Sequence, residues 1–444
     1  MFIYTQPYTK VVSLLKNLKG ESLKRVDFFL DIQNLSQGVY VPKDETHESN
    51  LEEVIWYEFF SLLTTLGRSI VECKSYGVDV HYYLYFDRGR NLFNEKIVPT
   101  WKQHRRKQLV DLIEKDSEGW FLLTLQNSAV KIVYELLGVF SQYSKHLHFV
   151  KLHYIDSDFI PGFFRVLRKM TGTYYRDDRH VVIVSSDSDY LHQIDSHCSI
   201  LYTVTQLRKT DFGNINLIAN VENTLQRLMK KFQLKDRTEA ITLFKFYPLF
   251  HALSGDGSDS MSPVISGFSW KSWFKTLKDP LSEYLTNEVS KWSLYEDLLH
   301  ESKALSAIRS SVEKCPSSKL CTELQSNGDV QRLLFRRLLV TDHELLSYVI
   351  LSLSDELLLQ LNVQEQDCFE FQFAKKVAQF LTLDEQELLA KVANTVYESL
   401  TKKSLPRSEV NRFLSWAKTK WQTLSKRSDV DQSRVLEERL RVFF

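Results

Sequence analysis

Six aspartates recur in a pattern that suits divalent cations. Asp31, Asp87, Asp156 and Asp187 each close a short apolar run, and Asp158 and Asp189 follow the last two in DSD sequences. Carboxylates gathered this closely repel one another unless cations hold them. An all-oxygen donor set suits Mg²⁺ or Mn²⁺. Asp256 and Asp259, in the turn GDGSD, add two more carboxylates that a flexible loop can aim at one point. Two cations ~3.5–4 Å apart would clamp a phosphodiester between attacking and leaving oxygens. Any single aspartate of this kind also reads as a helix cap or turn former. Four run ends and two i,i+2 pairs together favour the metal site.

Two basic features accompany the acids. In KIVPTWKQHRRK, Lys102, Arg105, Arg106 and Lys107 follow Trp101. Read as a helix, this stretch puts Trp101 and Arg105 on one face and Lys102 and Arg106 on the next. An aromatic beside cations suits a frayed or single-stranded nucleic-acid end, and a cation near the scissile phosphate would neutralise developing charge. The alternative is a solvated helix face with its Trp anchored in a core. The second feature is Gly255–Ser272, where Gly267, Ser269, Lys271 and Ser272 offer backbone N–H groups and a cation to a phosphate. Such a grip on the backbone is independent of base sequence.

The elements that must position these residues are legible. The runs Arg25–Asp31, Val80–Asp87, Phe149–Asp156 and His180–Asp187 read as strands, with a fifth at Ser199–Val204. Helical stretches separate them, which predicts a parallel sheet whose carboxyl ends line one edge, where α/β proteins place ligands. A helix follows Asp158 with Pro161 in its first turn, apolar residues inward and Arg165, Arg168 and Lys169 outward. Residues 1–24 read as an N-terminal extension and 25–221 as an α/β catalytic domain. Residues 222–300 read as helices around a loop, and 301–444 as an all-helical C-terminal domain.

A net charge of +1 over 444 residues rules out a polycation, so nucleic-acid affinity must come from local patches. Cys73, Cys198, Cys315, Cys321 and Cys368 are scattered without zinc-ligand spacing and read as reduced thiols of an intracellular protein. No apolar run approaches a membrane span, and the first residues lack the pattern of a signal peptide.

At these residues the chain resembles the flap endonuclease/5′-nuclease superfamily, most of all its bacteriophage 5′-exonuclease and ribonuclease H branch. The resemblance runs through Asp31 with Asn34, Phe86-Asp87, Trp101-Lys102-Gln103-His104-Arg105, Asp156-Ser157-Asp158, Asp187-Ser188-Asp189, Gly255-Asp256-Gly257-Ser258-Asp259-Ser260 and Gly267-Phe268-Ser269-Trp270-Lys271-Ser272, in family order over about residues 25–275. Asp156 stands where the family has Glu, Ser260 where it has Asn, and Ser269 where it has Gly. The resemblance implies a PIN-like parallel sheet flanked by helices, with a helix–two-turn–helix module that grips duplex DNA and binds K⁺.

It further implies a two-metal, Mg²⁺- or Mn²⁺-dependent nuclease cutting near the 5′ end of flap, nicked or RNA-primed duplex DNA in replication or repair. Asp31, Asp87, Asp156, Asp158 and Asp187 would hold the first cation. Asp189, Asp256 and Asp259 would hold the second, with Lys102 and Arg105 stabilising the transition state. Trp101, Arg106 and Lys107 would meet the frayed strand. Branched DNA and RNA–DNA hybrids are the implied partners, in the cytoplasm, the host's if the source is viral. A PIN-like single-strand ribonuclease and a non-catalytic junction-binding protein are the alternatives. The aromatic end LEERLRVFF suggests docking to a sliding clamp or single-strand-binding protein, against a last helix that merely packs on the domain.

Overall fold

The computed structural model describes residues 8–32, 51–87, 90–115, 132–142, 144–173, 176–185, 187–201, 218–257, 259–286, 291–363, 368–400, 407–424 and 440–443. Asn34 and Phe444 lie outside the described residues, as does the side chain of Asp87.

Strands β1 (Arg25–Asp31), β2 (Asp79–Asp87), β3 (Leu147–Leu152), β4 (Arg179–Val184) and β5 (Cys198–Leu201) form a parallel sheet in the order β3-β2-β1-β4-β5. A short β6 (Ile218–Ala219) pairs antiparallel at the β5 edge. The runs rich in Val, Ile, Phe and Tyr are buried on both faces, as strands covered by helices must be. Chain order reverses beside β1, which pairs with β2 on one side and β4 on the other. The carboxyl ends there face a crevice.

Two expected strand ends are corrected. Register pairs Asp87 with Leu152, where β3 runs out of partner and ends. Asp156 lies four residues further on and precedes the 3₁₀ turn Ser157–Phe159. Likewise β4 ends at Val184, and Asp187 caps the 3₁₀ turn Ser188–Gln193. The described part of the fifth strand begins at Cys198 and ends at Leu201; residues 202–204 lie outside the described residues.

Alternation along β1 sends Val26, Phe28 and Leu30 to one face, where they meet α1 (Tyr8–Lys19), α2 (Leu51–Ser75) and the helix over 132–141. Phe29 faces the other way, with Tyr83 and Tyr85 of β2. That second core is continuous with helices on both sides of residue 300: Phe250, Trp273, Leu305, Phe335, Leu338 and Val349 all belong to it. Residues 8–19 are therefore packed helix: Tyr8, Val11, Val12 and Leu15 are buried.

The helix Ile160–Met170 forms with Pro161 in its first turn, as expected. Its cations do not face water. Arg165 is 5% exposed and pairs with Asp195 at 2.6 Å, Arg168 meets the buried Asp27 at 2.5 Å, and Lys169 meets Glu344 at 2.5 Å. The helix packs on a sheet face and a neighbouring helix that carry their own carboxylates, so its charged stripe is needed inside. At the C-terminus the described residues pack inward. Phe443 is fully buried, edge-on to Phe140, and its carbonyl accepts from the Lys145 N–H at 2.8 Å.

His180, buried in β4, bonds Ser199 Oγ through Nε2 at 2.9 Å, and burial pushes its pKa down to about 3. A depressed histidine pKa means the unfolded chain binds the proton first. This contribution is therefore complete above the unfolded value of about 6.5 and fades as pH falls toward 3. We expect it to cost the fold on the order of 2 kcal/mol by pH 5. Urea unfolding at about pH 7 and about pH 5 should show a smaller acid loss in His180→Gln than in wild type; equal losses would refute the assignment.

Candidate active site

At the carboxyl edge of the sheet, the acids form two adjoining groups. Asp31 is 5% exposed at the end of β1 and accepts a hydrogen bond from Ser185 Oγ at 2.9 Å. The same Oγ accepts from the Asp187 N–H at 3.1 Å, so one hydroxyl ties two acids together. Asp187 Oδ1 in turn accepts the Asp189 N–H at 3.2 Å. Beneath them, Tyr85 donates to Tyr190 at 2.8 Å and Tyr190 donates to Asp158 at 2.9 Å. That buried chain orients the Asp158 carboxylate.

The second group contains Asp156, Asp189, Asp256 and Asp259. Asp156 is held by the Asn91 amide at 3.2 Å and by the Lys102 ammonium, and its N–H donates to Asn94 Oδ1 at 3.1 Å. Burial alone raises a carboxyl pKa, but the Lys102 charge holds that of Asp156 below its ordinary value. Burial pushes Asp259 up to about 7, with Asp156 and Asp256 adding to the rise and Lys102 and His251 opposing it. Burial likewise raises Asp189, with Asp187, Asp259 and Asp256 nearby, against the pull of His251.

His251 is the functional candidate the sequence did not reveal. Its Nε2 lies 3.2 Å from Asp256 Oδ2 and its Nδ1 4.0 Å from Asp189 Oδ1. Burial opposes its charge, yet these acids push its pKa up to about 9. Asp189, His251 and Asp256 each bring a ligand atom within 4.8 Å of the others. The helix Tyr247–Ser254 delivers His251 one turn before Gly255. Gly255 has φ +73°, and a Cβ there would meet Met261 O at 2.3 Å, so only glycine fits. Asp256 and Met261 bond each other's backbone at 2.8 and 2.9 Å, which ties the two ends of the following turn together.

A small polar cleft is lined by Asn94, Trp101, Asp156, Asp158, Asp189, His251 and Asp259. Val340, Thr341 and His343 close it from the C-terminal helices. His343 bonds Gln193 at 3.0 Å, and burial pushes its pKa down to about 4. This wall also lay beyond sequence reasoning. The donor set fits hard divalent cations: it is carboxylate apart from His251, and Asp156 Oδ1 is buried with no hydrogen-bond partner.

The basic features are partly rearranged. Trp101 and Lys102 lie in a turn ahead of the helix Gln103–Lys115, so the expected face sharing with Arg105 and Arg106 is corrected. Lys102 has φ +54°, its N–H donates to Asp259 O at 2.9 Å, and the His104 N–H donates to Ser260 Oγ at 2.8 Å. Trp101 is 4% exposed, so its ring serves the core rather than a stacking platform. Arg105 and Lys107 are exposed, whereas Arg106 pairs with Glu95, which also binds Arg90.

In the second module, Gly267 (φ +84°) and Ser269 are exposed before the helix Trp270–Thr286. Lys271, Lys275 and Lys278 lie exposed along that helix, and Ser272 is half-buried. The turn is pinned from below by the pairing of Ile265 with Leu320 and by the Ser266 N–H on Lys319 O at 2.7 Å.

No protein-family model matches the chain, and no curated protein matches it. Among solved structures, a bacteriophage T5 flap endonuclease complex with DNA and metal ions is 15% identical, with a TM-score of 0.42 over 80% of this chain and 99% of that one. The T5 5′-exonuclease with divalent metal ions (zinc) bound is 16% identical, with a TM-score of 0.43 over the same shares.

Proposed function

We propose that the protein is a 5′-nuclease of the flap endonuclease type, hydrolysing phosphodiesters near the 5′ end of flap, nicked or RNA-primed duplex DNA. What supports the reading is the cleft lined by Asp156, Asp158, Asp189 and Asp259, to which Asp31, Asp187 and Asp256 are linked through Ser185, Asp189 and His251, in the order and approximate spacing of that superfamily's motifs. Bound Mg²⁺ or Mn²⁺ would supply Lewis-acid charge and an activated water. Asp31, Asp87, Asp156, Asp158 and Asp187 are assigned to one cation, and Asp189, Asp256 and Asp259, now with His251, to the other.

The protein's own groups do the positioning. Ser185 holds the Asp31 carboxylate and the Asp187 backbone, and the Tyr85–Tyr190 pair holds the Asp158 carboxylate. Lys102 neutralises Asp156 in the absence of substrate and stands within reach of an entering phosphate, with Arg105 exposed one turn away. Gly267, Ser269, Lys271 and Ser272, with Lys275 and Lys278 along the same helix, would grip the duplex backbone, and K⁺ is assigned to the turn ahead of that helix. Such contacts position DNA without reading its sequence.

The test is cleavage of a 5′-labelled flap duplex with Mg²⁺ against the same reaction in EDTA. Metal-dependent release of the flap supports the proposal; cleavage of single-stranded RNA without any junction preference would overturn it in favour of a PIN-like ribonuclease. In the same assay Lys102→Ala should cut the single-turnover rate by about 10²-fold, in line with losing one transition-state charge contact. An unchanged rate would remove Lys102 from the site.

A further inference from the structure

At the opposite end of the sheet, two imidazoles and a carboxylate meet where β2 begins. Asp79 opens β2, His81 follows two residues later on the same face, and His146 immediately precedes β3. Their ligand atoms lie within 4.8 Å of one another. His81 Nε2 is 2.9 Å from Asp79 Oδ2, and His146 Nδ1 is 3.5 Å from Asp79 Oδ1. We propose that Asp79, His81 and His146 form a transition-metal site, suited to Zn²⁺, distinct from the acidic cleft.

The donor chemistry separates the two sites. Carboxylates alone favour hard cations, whereas two imidazoles and a carboxylate favour zinc, which binds three protein ligands and completes a tetrahedron with water. His81 and His146 reach different oxygens of the Asp79 carboxylate, at 2.9 and 3.5 Å, close to the roughly 3.3 Å edge of a tetrahedron with ~2.0–2.1 Å bonds. The second ring nitrogen of His81 is engaged, as ligating histidines require, by His148 Nε2 at 3.2 Å. His148 is itself fixed by stacking on Tyr83, centroid to centroid 4.4 Å.

Access and charge also permit an ion. The two histidines are 11% and 9% exposed, while Asp79 is 53% exposed and opens the site to solvent. Arg25, whose charge also acts on Asp79, is committed to Asp27 at 2.8 Å. Loading would displace the ring proton that His146 Nδ1 shares with the Val80 carbonyl at 2.9 Å, an ordinary cost of metal binding. Asp79 and Asp87 are the two ends of β2, so this site lies roughly 26 Å from the catalytic edge, at ~3.3 Å per residue. An ion there would staple the start of β2 to the entry of the edge strand β3.

The test titrates Co²⁺ into chelator-stripped full-length protein and follows its visible absorption. The variants are His81→Gln, Asp79→Asn and Asp187→Asn, with circular dichroism to check folding. Wild type and Asp187→Asn should show the intense band of a tetrahedral nitrogen-ligated site. His81→Gln and Asp79→Asn should lose that band and take up one equivalent less, while still cleaving flap DNA with Mg²⁺. Equal stoichiometry and equal bands in all four proteins, or no such band in wild type, would overturn the proposal. Failure of flap cleavage with the band retained would instead count against the nuclease reading alone.

Discussion

Asp187→Asn is expected to lower flap cleavage by roughly 10³-fold or more, about 4 kcal/mol in the barrier, while DNA binding measured in EDTA stays within a few-fold of wild type. The size follows from what the substitution removes. Asn keeps the shape of Asp and an Oδ1 that can still accept the Asp189 N–H, now bonded at 3.2 Å. The cap on the 3₁₀ turn Ser188–Gln193 therefore survives, and so does the Ser185 link through the Asp187 backbone. Only the negative charge is lost, and with it the residue's worth as a ligand to a hard cation. Asp187 also joins the two groups, meeting the Asp31 network through Ser185 and the Asp189 N–H through its own carboxylate. Single-turnover cleavage with Mg²⁺, with thermal unfolding as the folding control, reads the result. Near-wild-type turnover would remove Asp187 from the cation site and undo the two-cation assignment.

Which parts of this site were legible in the chain depended on whether the signal was local. Runs such as RVDFFLD and HVVIV announce buried parallel strands because both faces are apolar, and their final acids stand out against that background. Strand ends were less legible, because pairing with a neighbour decides them: β3 stops where β2 stops, four residues before Asp156. His251 gave no signal at all. It sits in the apolar helix YPLFHALS, where a lone histidine reads as a core residue, and only the tertiary fold brings Asp189 beside it.

The same holds for Arg165, Arg168 and Lys169. Amphipathic logic sends them to solvent, but Asp195, Asp27 and Glu344, distant in sequence, draw them inside. Likewise, helical periodicity marked residues 301–444 as helices without disclosing that Thr341 and His343 would wall the acidic cleft.

That wall rests on a buried charge network, and breaking it should have the largest effect on stability. Lys291→Met is expected to destabilise the fold by about 3–5 kcal/mol at pH 7, the usual cost of stranding a buried ionic partner. Lys291 donates to both Asp342 oxygens at 3.0 and 2.9 Å and lies 2.9 Å from Glu344 Oε2. Asp342 is fully buried; it also accepts from the Tyr295 hydroxyl at 2.8 Å and caps the helix His343–Ser352 through the Glu344 and Leu345 N–H groups. Burial opposes both charges, yet Lys291 holds the Asp342 carboxyl below its ordinary value, and Lys169 with Lys291 does the same for Glu344.

For a carboxyl so depressed, the stabilisation is present above the unfolded pKa of about 4 and is lost as pH falls through the lower folded value. Methionine fills the volume but leaves two carboxylates facing one another, and these regain protons at higher pH than in wild type. The gap between variant and wild type should therefore be widest near neutral pH and narrow toward pH 4. Urea unfolding across that range measures it. A constant gap would mean the loss comes from packing around residue 291, and a gap under about 0.5 kcal/mol at pH 7 would mean water already reaches the network.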